Sequence, residues 1–441
     1  KGHKGKAKGA KTIKYFYLIT CLSIILILPA TMSRASWLAA AAGSLVVFCP
    51  QISQICTNLK KRNKLLIIAG SLIAVCIVVA GLYRVKENSA DGRFLMWKIG
   101  FQTAINNPFG AGSGHFSGAY GDAQAAYFAN EQANETEELV AGSPEYGFNE
   151  YLQIAVENGF AGLLLFLLVI GFMMHNLLKN SQFGLLGSLV AFLVFAFFSY
   201  PFSVLPFLLI FVFLMAANSR KGVKNAKKTN FATFAISFAS IAVSIFVLIN
   251  QIIVFQAYKQ WKPAQFLYSA GFYADAGEEY AKLYPRLNDR ADFLFEYAHS
   301  LSNQIFENQK LEQQNRRDSA TNEEAGMRLP VQRRINTLTK SNEILRRATL
   351  FSCDPMLYAV TGKNHQALKD YVQAEQCYLK AAHIVPHRLY PYYLLTKLYD
   401  EMGLKEKANE TATIVLTKEP KVQSTAVREM REEVKRLTIR N

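Results

Sequence analysis

The hydrophobic positions of the chain follow two patterns that meet near residue 255. Before that point, long apolar runs alternate with polar stretches, and several runs approach the roughly 20 residues that a helix needs to cross a bilayer. After it, apolar residues recur at helical spacing among polar ones, as on helices that bury one face. The sequence therefore predicts an all-α protein, with a polytopic transmembrane domain over residues 1–255 and a helical-repeat domain over residues 256–441.

Seven apolar runs are predicted to span the membrane, and a long polar loop, residues 84–158, separates the third from the fourth. The runs are 13–33, 35–54, 65–83, 159–178, 184–201, 204–218 and 231–254. The run 204–218 is short enough to be a buried or re-entrant helix instead. The chain starts at Lys1 in a basic stretch without an initiator methionine, so we expect it to be the C-terminal part of a longer membrane domain.

The distribution of charge predicts the orientation of these spans. A formal net charge of +16 could indicate nucleic acid binding. Lysine and arginine, however, concentrate before the first span, between the second and third, and before the last. These segments lie on one side of the membrane if the seven spans are correct, and basic loops mark the cytoplasmic side. We therefore expect no nucleic acid partner, and expect the acidic loop 84–158 and residues 256–441 on the opposite face.

The C-terminal domain contains a 34-residue period that ends at Pro386 and Pro420, a spacing typical of tetratricopeptide repeats. Aromatic, small and proline residues recur at the expected positions of the two units: Tyr358, Gly362, Ala374, Tyr378, Ala381 and Pro386, then Tyr392, Leu395, Tyr399, Ala408 and Pro420. Such an array could be a passive cap or a docking surface for a protein partner.

Two less regular helical pairs are predicted before these units. Residues 264–284 form one, and 290–303 with 337–350 form the other, split by an insertion at 304–336 whose polar composition predicts a mobile loop. Cys353 and Cys377 have the spacing of helix-packing positions, although a disulfide is permitted there. No cysteine or histidine spacing typical of a metal site occurs, so no metal or other cofactor is expected.

The first candidate for chemistry is Arg34, at the outer end of the first span in the sequence Ser33-Arg34-Ala35-Ser36-Trp37. An arginine at this depth costs free energy unless it reaches the interface or meets an anion. It could be an interfacial anchor with Trp37 beside it. It could also bind phosphate, because the planar guanidinium matches phosphate oxygens.

The second candidate is the segment from Arg93 to His115. Its apolar spacing predicts an amphipathic helix on the membrane face that ends at Asn106-Asn107-Pro108, with Arg93 as a solvated residue in the simplest interpretation. Glycines follow at 110, 112 and 114, and repeated glycines permit backbone N–H groups to converge on an oxyanion. His115 could be a base, because imidazole titrates near neutral pH, or it could equally be a loop histidine with no role.

The third candidate is the sequence Phe148-Asn149-Glu150-Tyr151-Leu152-Gln153, at the start of the fourth span. Its polar residues could simply cap the helix and carry solvated charge. Alternatively, Glu150 or Asn149 positions or deprotonates an acceptor, because a carboxylate among apolar rings near a bilayer can have a raised pKa.

Taken in order, SRASWLA, GRFLMWKIGFQTAINNPFGAGSGHF and NEYLQIAVENGFAGLLLF resemble the O-antigen ligase and O-antigen polymerase superfamily over roughly residues 13–218. The resemblance implies a metal-independent membrane glycosyltransferase of the bacterial inner membrane, acting at the periplasmic face. Its donor would be a glycan on undecaprenyl pyrophosphate, and its acceptor a glycolipid, a glycan or a protein. Attached helical repeats also occur in some members.

The resemblance further implies that Arg34 and Arg93 hold the donor pyrophosphate, while a base activates the acceptor hydroxyl. Ligases of this superfamily carry a histidine directly before the Asn of the third motif, whereas this chain has Phe148. Glu150 or His115 could substitute, the acceptor could need less activation, or the reaction could differ, so ligase and polymerase both remain open.

A non-catalytic scaffold, which assembles an envelope complex through residues 256–441, is the competing interpretation. If the protein is an enzyme, substitution of either arginine should abolish its function, and deletion of residues 256–441 should have a milder effect. If it is a scaffold, the arginines should tolerate substitution and the deletion should abolish function.

Overall fold

The computed structural model of the protein describes residues 19–20, 22–24, 26–28, 30–57, 87–130, 133–219, 231–318 and 330–440. Within these ranges the chain forms helices and no strand, which confirms the all-α prediction. The helices are α1 Arg34–Thr57, α2 Glu87–Asn106, α3 Phe116–Ala129, α4 Glu135–Val140, α5 Glu150–Lys179, α6 Phe183–Phe198, α7 Leu205–Ser219, α8 Phe231–Ser269, α9 Tyr273–Leu287, α10 Ala291–Asp318, α11 Val331–Ala348, α12 Pro355–Ala367, α13 Tyr371–Ile384, α14 Leu389–Glu401, α15 Lys405–Thr417 and α16 Thr425–Arg440, with a 3-10 turn at Pro201–Ser203.

The chain divides into two compact units. The first comprises Lys1–Ala90, Gly147–Ala155 and Phe160–Asn225, and the second Asp91–Tyr146, Val156–Gly159 and Ala226–Asn441. In the second unit we call residues 91–146 the loop segment and residues 256–440 the helical array. The loop segment and the helical array therefore belong to the same compact unit, although more than 100 residues separate them in the sequence.

In the first unit, close contact between glycines packs α1 against α6. A Cβ on Gly43 would lie 2.7 Å from the carbonyl oxygen of Gly187, and a Cβ on Gly187 equally close to that of Gly43. Small residues that let backbones approach are typical of helix packing in membranes. A second core joins α5, α6 and α7 through buried apolar side chains: Ile170, Met173, Leu177, Leu186, Leu189, Phe192, Phe211 and Leu214.

Two of the described helices are long and apolar enough to cross a membrane: α5, Glu150–Lys179, and the part of α8 from Ser237 to Ser269. Shorter apolar helices cover Arg34–Phe48, Phe183–Phe198 and Leu205–Asn218. Large apolar side chains of α5 and α8 are exposed, with 65% of Leu165 and 68% of Phe246 accessible, as expected of surfaces that face lipid. The predicted span 65–83 and part of 13–33 lie outside the described residues.

In the second unit, α8 continues without a break from its apolar part into the helical array. Its 39 residues give a length of about 58 Å, roughly twice the hydrocarbon thickness of a bilayer. Glu296 on α10 accepts hydrogen bonds from the side chains of Trp261 (2.7 Å), Gln265 (2.9 Å) and Tyr280 (2.8 Å). These bonds fix the end of α8 to the next two helices. Because α8 runs from Phe231 to Ser269, the change of composition near residue 255 is not a helix boundary.

The helical array consists of helices that pack in sequential pairs, with α12 on α13 and α14 on α15. Equivalent helices of these two pairs start 34 residues apart, at Pro355 and Leu389 and at Tyr371 and Lys405. A Cβ at Gly362 would overlap the ring of Tyr378, so these two repeat positions fit one against the other. Cys353 and Cys377 are free thiols in packing positions.

The prediction of a mobile loop over 304–336 is wrong at both ends. Helix α10 extends to Asp318 and α11 begins at Val331. Gln, Glu and Arg, which suggested a loop together with Asn, are also good helix formers, and the exposed end of a helix tolerates them. Residues 319–329 lie outside the described residues.

The loop segment has an internal polar network that joins its helices. The ammonium of Lys98 on α2 donates to the hydroxyl of Tyr127 on α3 (2.6 Å) and to Glu137 on α4 (2.9 Å). Tyr127 also donates to Glu137 at 2.7 Å. Asn134 and Glu137 form a capping box that starts α4. Three helices are thereby tied together around one carboxylate.

Candidate functional site

Arg34 occupies the first turn of α1, directly after a sharp change in chain direction. Met32 has a left-handed backbone with φ of 48°. The hydroxyl of Ser33 accepts the N–H of Ser36 at 3.3 Å, while the indole of Trp37 donates to the carbonyl of Leu28 at 2.7 Å. Ser33 and Trp37 therefore stabilise the turn, and the half-buried Arg34 adds a cation to the positive end of a helix. A bound anion at this place would interact favourably with both.

The polar residues of the third motif bind backbone groups of the first unit. Asn149 caps α5 by accepting the N–H of Leu152 at 3.1 Å. Glu150 is only 3% exposed and accepts the N–H of Phe202 at 2.7 Å. Gln153 accepts the N–H of Gly147 at 3.1 Å. Each side chain thus has a structural role in holding the start of α5 and the turn Pro201–Ser203.

Phe148, at the position that departs from the ligase pattern, has a left-handed backbone with φ of 46°. A non-glycine residue in this region is strained, and such strain concentrates at functional sites. Its ring meets that of Tyr200 edge-on, with centroids 5.0 Å apart. The hydrogen bond from the adjacent Gly147 to Gln153 helps to hold this conformation. No sequence pattern had predicted the pairing of Phe148 with Tyr200.

Arg93 lies on α2, half-buried, and α2 ends at Asn106 as the sequence predicted. One face of the helix is buried through Leu95, Ile99 and Thr103. Another face exposes apolar side chains, and this exposure continues into the turn beyond the helix: Phe94 58%, Phe101 60%, Ile105 52% and Phe109 96%. A continuous exposed apolar stripe of this kind fits an amphipathic helix that lies on a membrane surface.

The glycine-rich turn contacts the backbone of α5, and these contacts occupy N–H groups that had been considered for an oxyanion. The N–H of Ala111 donates to the carbonyl of Val156 (2.8 Å), and that of Gly112 to Glu157 (3.0 Å). A Cβ at Gly110 (φ +92°) would overlap the carbonyl of Glu157, and one at Gly159 (φ +70°) would lie 2.5 Å from that of Pro108. Gly110 and Gly159 therefore let the glycine-rich turn join backbone to backbone with residues 156–159, which belong to the same unit.

His115 is half-buried at the start of α3, and its ring has a defined orientation. Nδ1 lies 2.9 Å from the carbonyl oxygen of Ala111. A carbonyl only accepts, so Nδ1 must carry the proton, and in the neutral ring Nε2 is then the acceptor. The ring also contacts Phe351 of the helical array edge-on, at a centroid distance of 4.8 Å. This geometry suits a proton acceptor.

The predicted site residues divide between the two units. Arg34, Asn149 and Glu150 lie in the first unit, while Arg93 and His115 lie in the second. Sequence reasoning missed the backbone partners of the third motif and the contact of Phe351 with His115. The only sequence signal of those backbone partners was the proximity of Gln153 to Asn149 and Glu150. Nothing local signals a contact between residues so far apart in the chain.

No curated protein sequence matches the chain. A match exists at the level of families and covers the part of the chain that contains all five predicted site residues. Residues 19–167 match the family model described as O-antigen ligase. This family consists of membrane proteins, and the match supports assigning this part of the chain to the O-antigen ligase superfamily.

Proposed function

We propose that the protein is a membrane glycosyltransferase that moves a glycan from an undecaprenyl-pyrophosphate-linked donor to an acceptor hydroxyl at the periplasmic face of the bacterial inner membrane. The family match over residues 19–167 carries this proposal, because it includes Arg34, Arg93, His115, Asn149 and Glu150. Two apolar helices long enough to span a bilayer support it. The tetratricopeptide character of the array and its periplasmic location belong to the same proposal.

In the proposed reaction the oxygen of the acceptor hydroxyl attacks the anomeric carbon of the donor glycan. The bond from that carbon to the pyrophosphate oxygen breaks, and undecaprenyl pyrophosphate leaves with the electron pair. Arg34 and Arg93 bind this pyrophosphate and stabilise the negative charge that develops on it. The hydroxyl proton passes to a base, and attack from the face opposite the leaving group inverts the anomeric centre.

We assign the proton acceptor to His115 rather than to Glu150 or Asn149. The donor role of its Nδ1 towards Ala111 leaves Nε2 as a proton acceptor. Glu150 is buried and accepts the N–H of Phe202, and Asn149 caps α5. In this proposal those two residues position the start of α5, while His115 takes the role of the histidine that Phe148 replaces.

The experiment that tests the proposal is the glycan phenotype of a strain from which the gene is deleted. Loss of glycan attachment with normal chain length would identify a ligase, and glycans of a single repeating unit would identify a polymerase. A strain with unchanged glycans would contradict both.

The alternative is a non-catalytic scaffold that assembles an envelope complex through residues 256–441. The helical array favours it only as a surface on which a protein could dock. The arginines separate the two functions, because a scaffold has no need of a pyrophosphate ligand at Arg34 and Arg93.

A further inference from the structure

Helix α3 of the loop segment packs directly on the helical array. Its face of small residues meets the connection between α11 and α12. A Cβ on Gly118 would overlap the carbonyl oxygens of Thr349 and Leu350, and a Cβ on Gly121 would overlap the Cβ of Cys353. Helix interiors disfavour glycine by up to about 1 kcal/mol relative to alanine. Two glycines in a helix of 14 residues are therefore explained by this contact and not by helix formation.

Polar contacts surround this packed face. Ser117 accepts the N–H of Cys353 at 3.1 Å and donates to the carbonyl of Pro144 at 2.8 Å. The fully buried Gln124 donates both to Gly142 of the loop segment (2.7 Å) and to the carbonyl of Ile384 at the end of α13. These bonds satisfy backbone groups of both partners.

Ion pairs lie at the edge of the same contact. Lys380 of α13 binds Asp122 of α3 at 2.7 Å, and Lys418 binds Glu138 of α4 at 3.0 Å. His387 also lies 3.2 Å from the carbonyl oxygen of Glu138 through Nδ1. Partly exposed pairs of this kind add little free energy, but they fix the register of two surfaces.

The contact extends to both candidate site residues of the second unit. His115 immediately precedes α3, and Phe351 of the array packs against its ring. Arg93 lies on α2, which Lys98 joins to Tyr127 of α3 and to Glu137 of α4. A displacement of α3 from the array would therefore move the His115 ring and loosen the support of the helix that carries Arg93.

We propose that the helical array is an internal positioning element for the catalytic loop, and that glycosyl transfer requires α3 to be docked on residues 349–353. This inference rests on the proposed function. It makes Gly118 and Phe351 positioning residues that act through His115 and α2. It also means that this face of the array binds its own chain, so any external partner must use another surface.

Burial of Cys353 provides a readout of docking that does not depend on transfer. The thiol is 1% exposed beneath α3. Burial, the largest influence, raises its pKa to about 12, so the thiolate that reacts with maleimides is scarce. Undocking of α3 exposes this thiol and increases its reactivity.

The experiment compares Gly118→Ala with Gly142→Ala in the full chain in native membranes. Gly142 is in the same loop segment, and no heavy atom lies within 4 Å of a Cβ placed there. We measure N-ethylmaleimide modification of Cys353 by peptide mass spectrometry, and glycan transfer in the deletion strain. Hydrogen exchange across α14 and α15 reports whether the array itself stays folded.

We expect Gly118→Ala to increase modification of Cys353 at least about 10-fold and to lower the maximal transfer rate by a similar factor, with hydrogen exchange of α14 and α15 unchanged. Gly142→Ala should do neither. If Gly118→Ala exposes Cys353 and transfer stays normal, the positioning role is wrong while the proposed function stands. If Cys353 stays protected in Gly118→Ala, docking through this glycine is wrong. Absence of transfer by the wild type would instead overturn the proposed function, and Cys353 protection would still report docking.

A second variant keeps the test decisive if Gly118→Ala fails to fold. The hydroxyl of Ser117 lies 3.3 Å from the sulfur of Cys353, so Ser117→Cys should form a disulfide with Cys353 under mild oxidation. We expect the cross-linked protein to retain at least half of the transfer activity of its reduced form. Loss of transfer on oxidation, restored by dithiothreitol, would show that the loop must leave the array and would overturn the inference.

Discussion

The third motif lies in the first unit and the glycine-rich turn lies in the other, yet both are polar segments beside apolar helices. In the structure the third motif makes its contacts with side chains, whereas the glycine-rich turn makes them with its backbone. At Asn149, Glu150 and Gln153 the side chains bind backbone N–H groups. In the glycine-rich turn the backbone itself makes the contacts, and the neighbouring His115 ring keeps an acceptor nitrogen. A polar residue in a motif is thus a poor guide to chemistry until its hydrogen-bond partners are known.

The largest expected effect concerns the two arginines, one in each unit. We expect Arg34→Ala and Arg93→Ala each to lower transfer by about 100-fold or more, because each removes a charged donor to the leaving pyrophosphate. Transfer measured in the deletion strain at matched membrane expression tests this. Arg290→Ala is the control, since Arg290 is half-exposed on the array, where it pairs with the adjacent Asp289 at 3.4 Å and lies 5.8 Å from the ring centroid of Tyr258. Activity of the two arginine variants equal to that control would refute the pyrophosphate role.

Substitution of His115 tests whether the residue beside the glycine-rich turn is the proton acceptor. We expect His115→Ala to lower the maximal rate by about 100-fold, within the range for loss of a general base. Added imidazole should restore part of this rate in the variant and leave the wild type unchanged. A His115→Ala protein with normal transfer would return the role of base to another residue.

Substitution of Glu150 tests whether the third motif has a structural role, because the amide isostere Gln keeps the hydrogen bond but cannot act as the base. Glu150→Gln keeps an oxygen that accepts the N–H of Phe202, so we expect a change in rate of less than about 3-fold, whereas Glu150→Ala leaves that buried N–H unsatisfied at a cost of about 1–3 kcal/mol. The measurements are transfer and thermal stability of both variants. A rate as low in Glu150→Gln as in Glu150→Ala would instead identify Glu150 as the base.

The smallest expected effect is a pH dependence of the loop segment. Partial burial raises the pKa of Glu137, but hydrogen bonds from Lys98 and Tyr127 outweigh it and lower the pKa below the usual 4.5. A carboxylate with a lowered folded-state pKa stabilises the fold above its unfolded-state pKa, and this contribution is lost as the pH falls through the folded-state value. The protection of α4 amides from hydrogen exchange, measured relative to the intrinsic rate at each pH, should therefore fall below about pH 4.5 in the wild type. Glu137→Gln should remove this dependence.

The sequence predicted those features that depend on local periodicity. The end of α2 at Asn106, the paired helices and the 34-residue offset between α12 and α14 all follow from spacing and turn residues. Polar composition misled the interpretation of 304–318, where polar helix formers continue α10. The docking of α3 was not predictable, because Gly118 and Gly121 have no local meaning until residues 349–353 are placed against them.

That docking also changes how one experiment is interpreted. Deletion of residues 256–441 was expected to harm a scaffold more than an enzyme. Since Ser117, Gln124 and Phe351 join the loop segment to the array, deletion removes support from the proposed catalytic loop as well. The arginine variants, and not the deletion, distinguish an enzyme from a scaffold.

The central claim is tested most directly by release of undecaprenyl pyrophosphate from a lipid-linked glycan donor by the purified full chain in liposomes, in buffer containing EDTA. We expect the wild type to release undecaprenyl pyrophosphate in step with formation of the glycosylated acceptor, and the Arg34→Ala Arg93→Ala double variant to release it at least about 100-fold more slowly. Release by the double variant at the wild-type rate, or none by the wild type with donor and acceptor present, would contradict the proposed transfer.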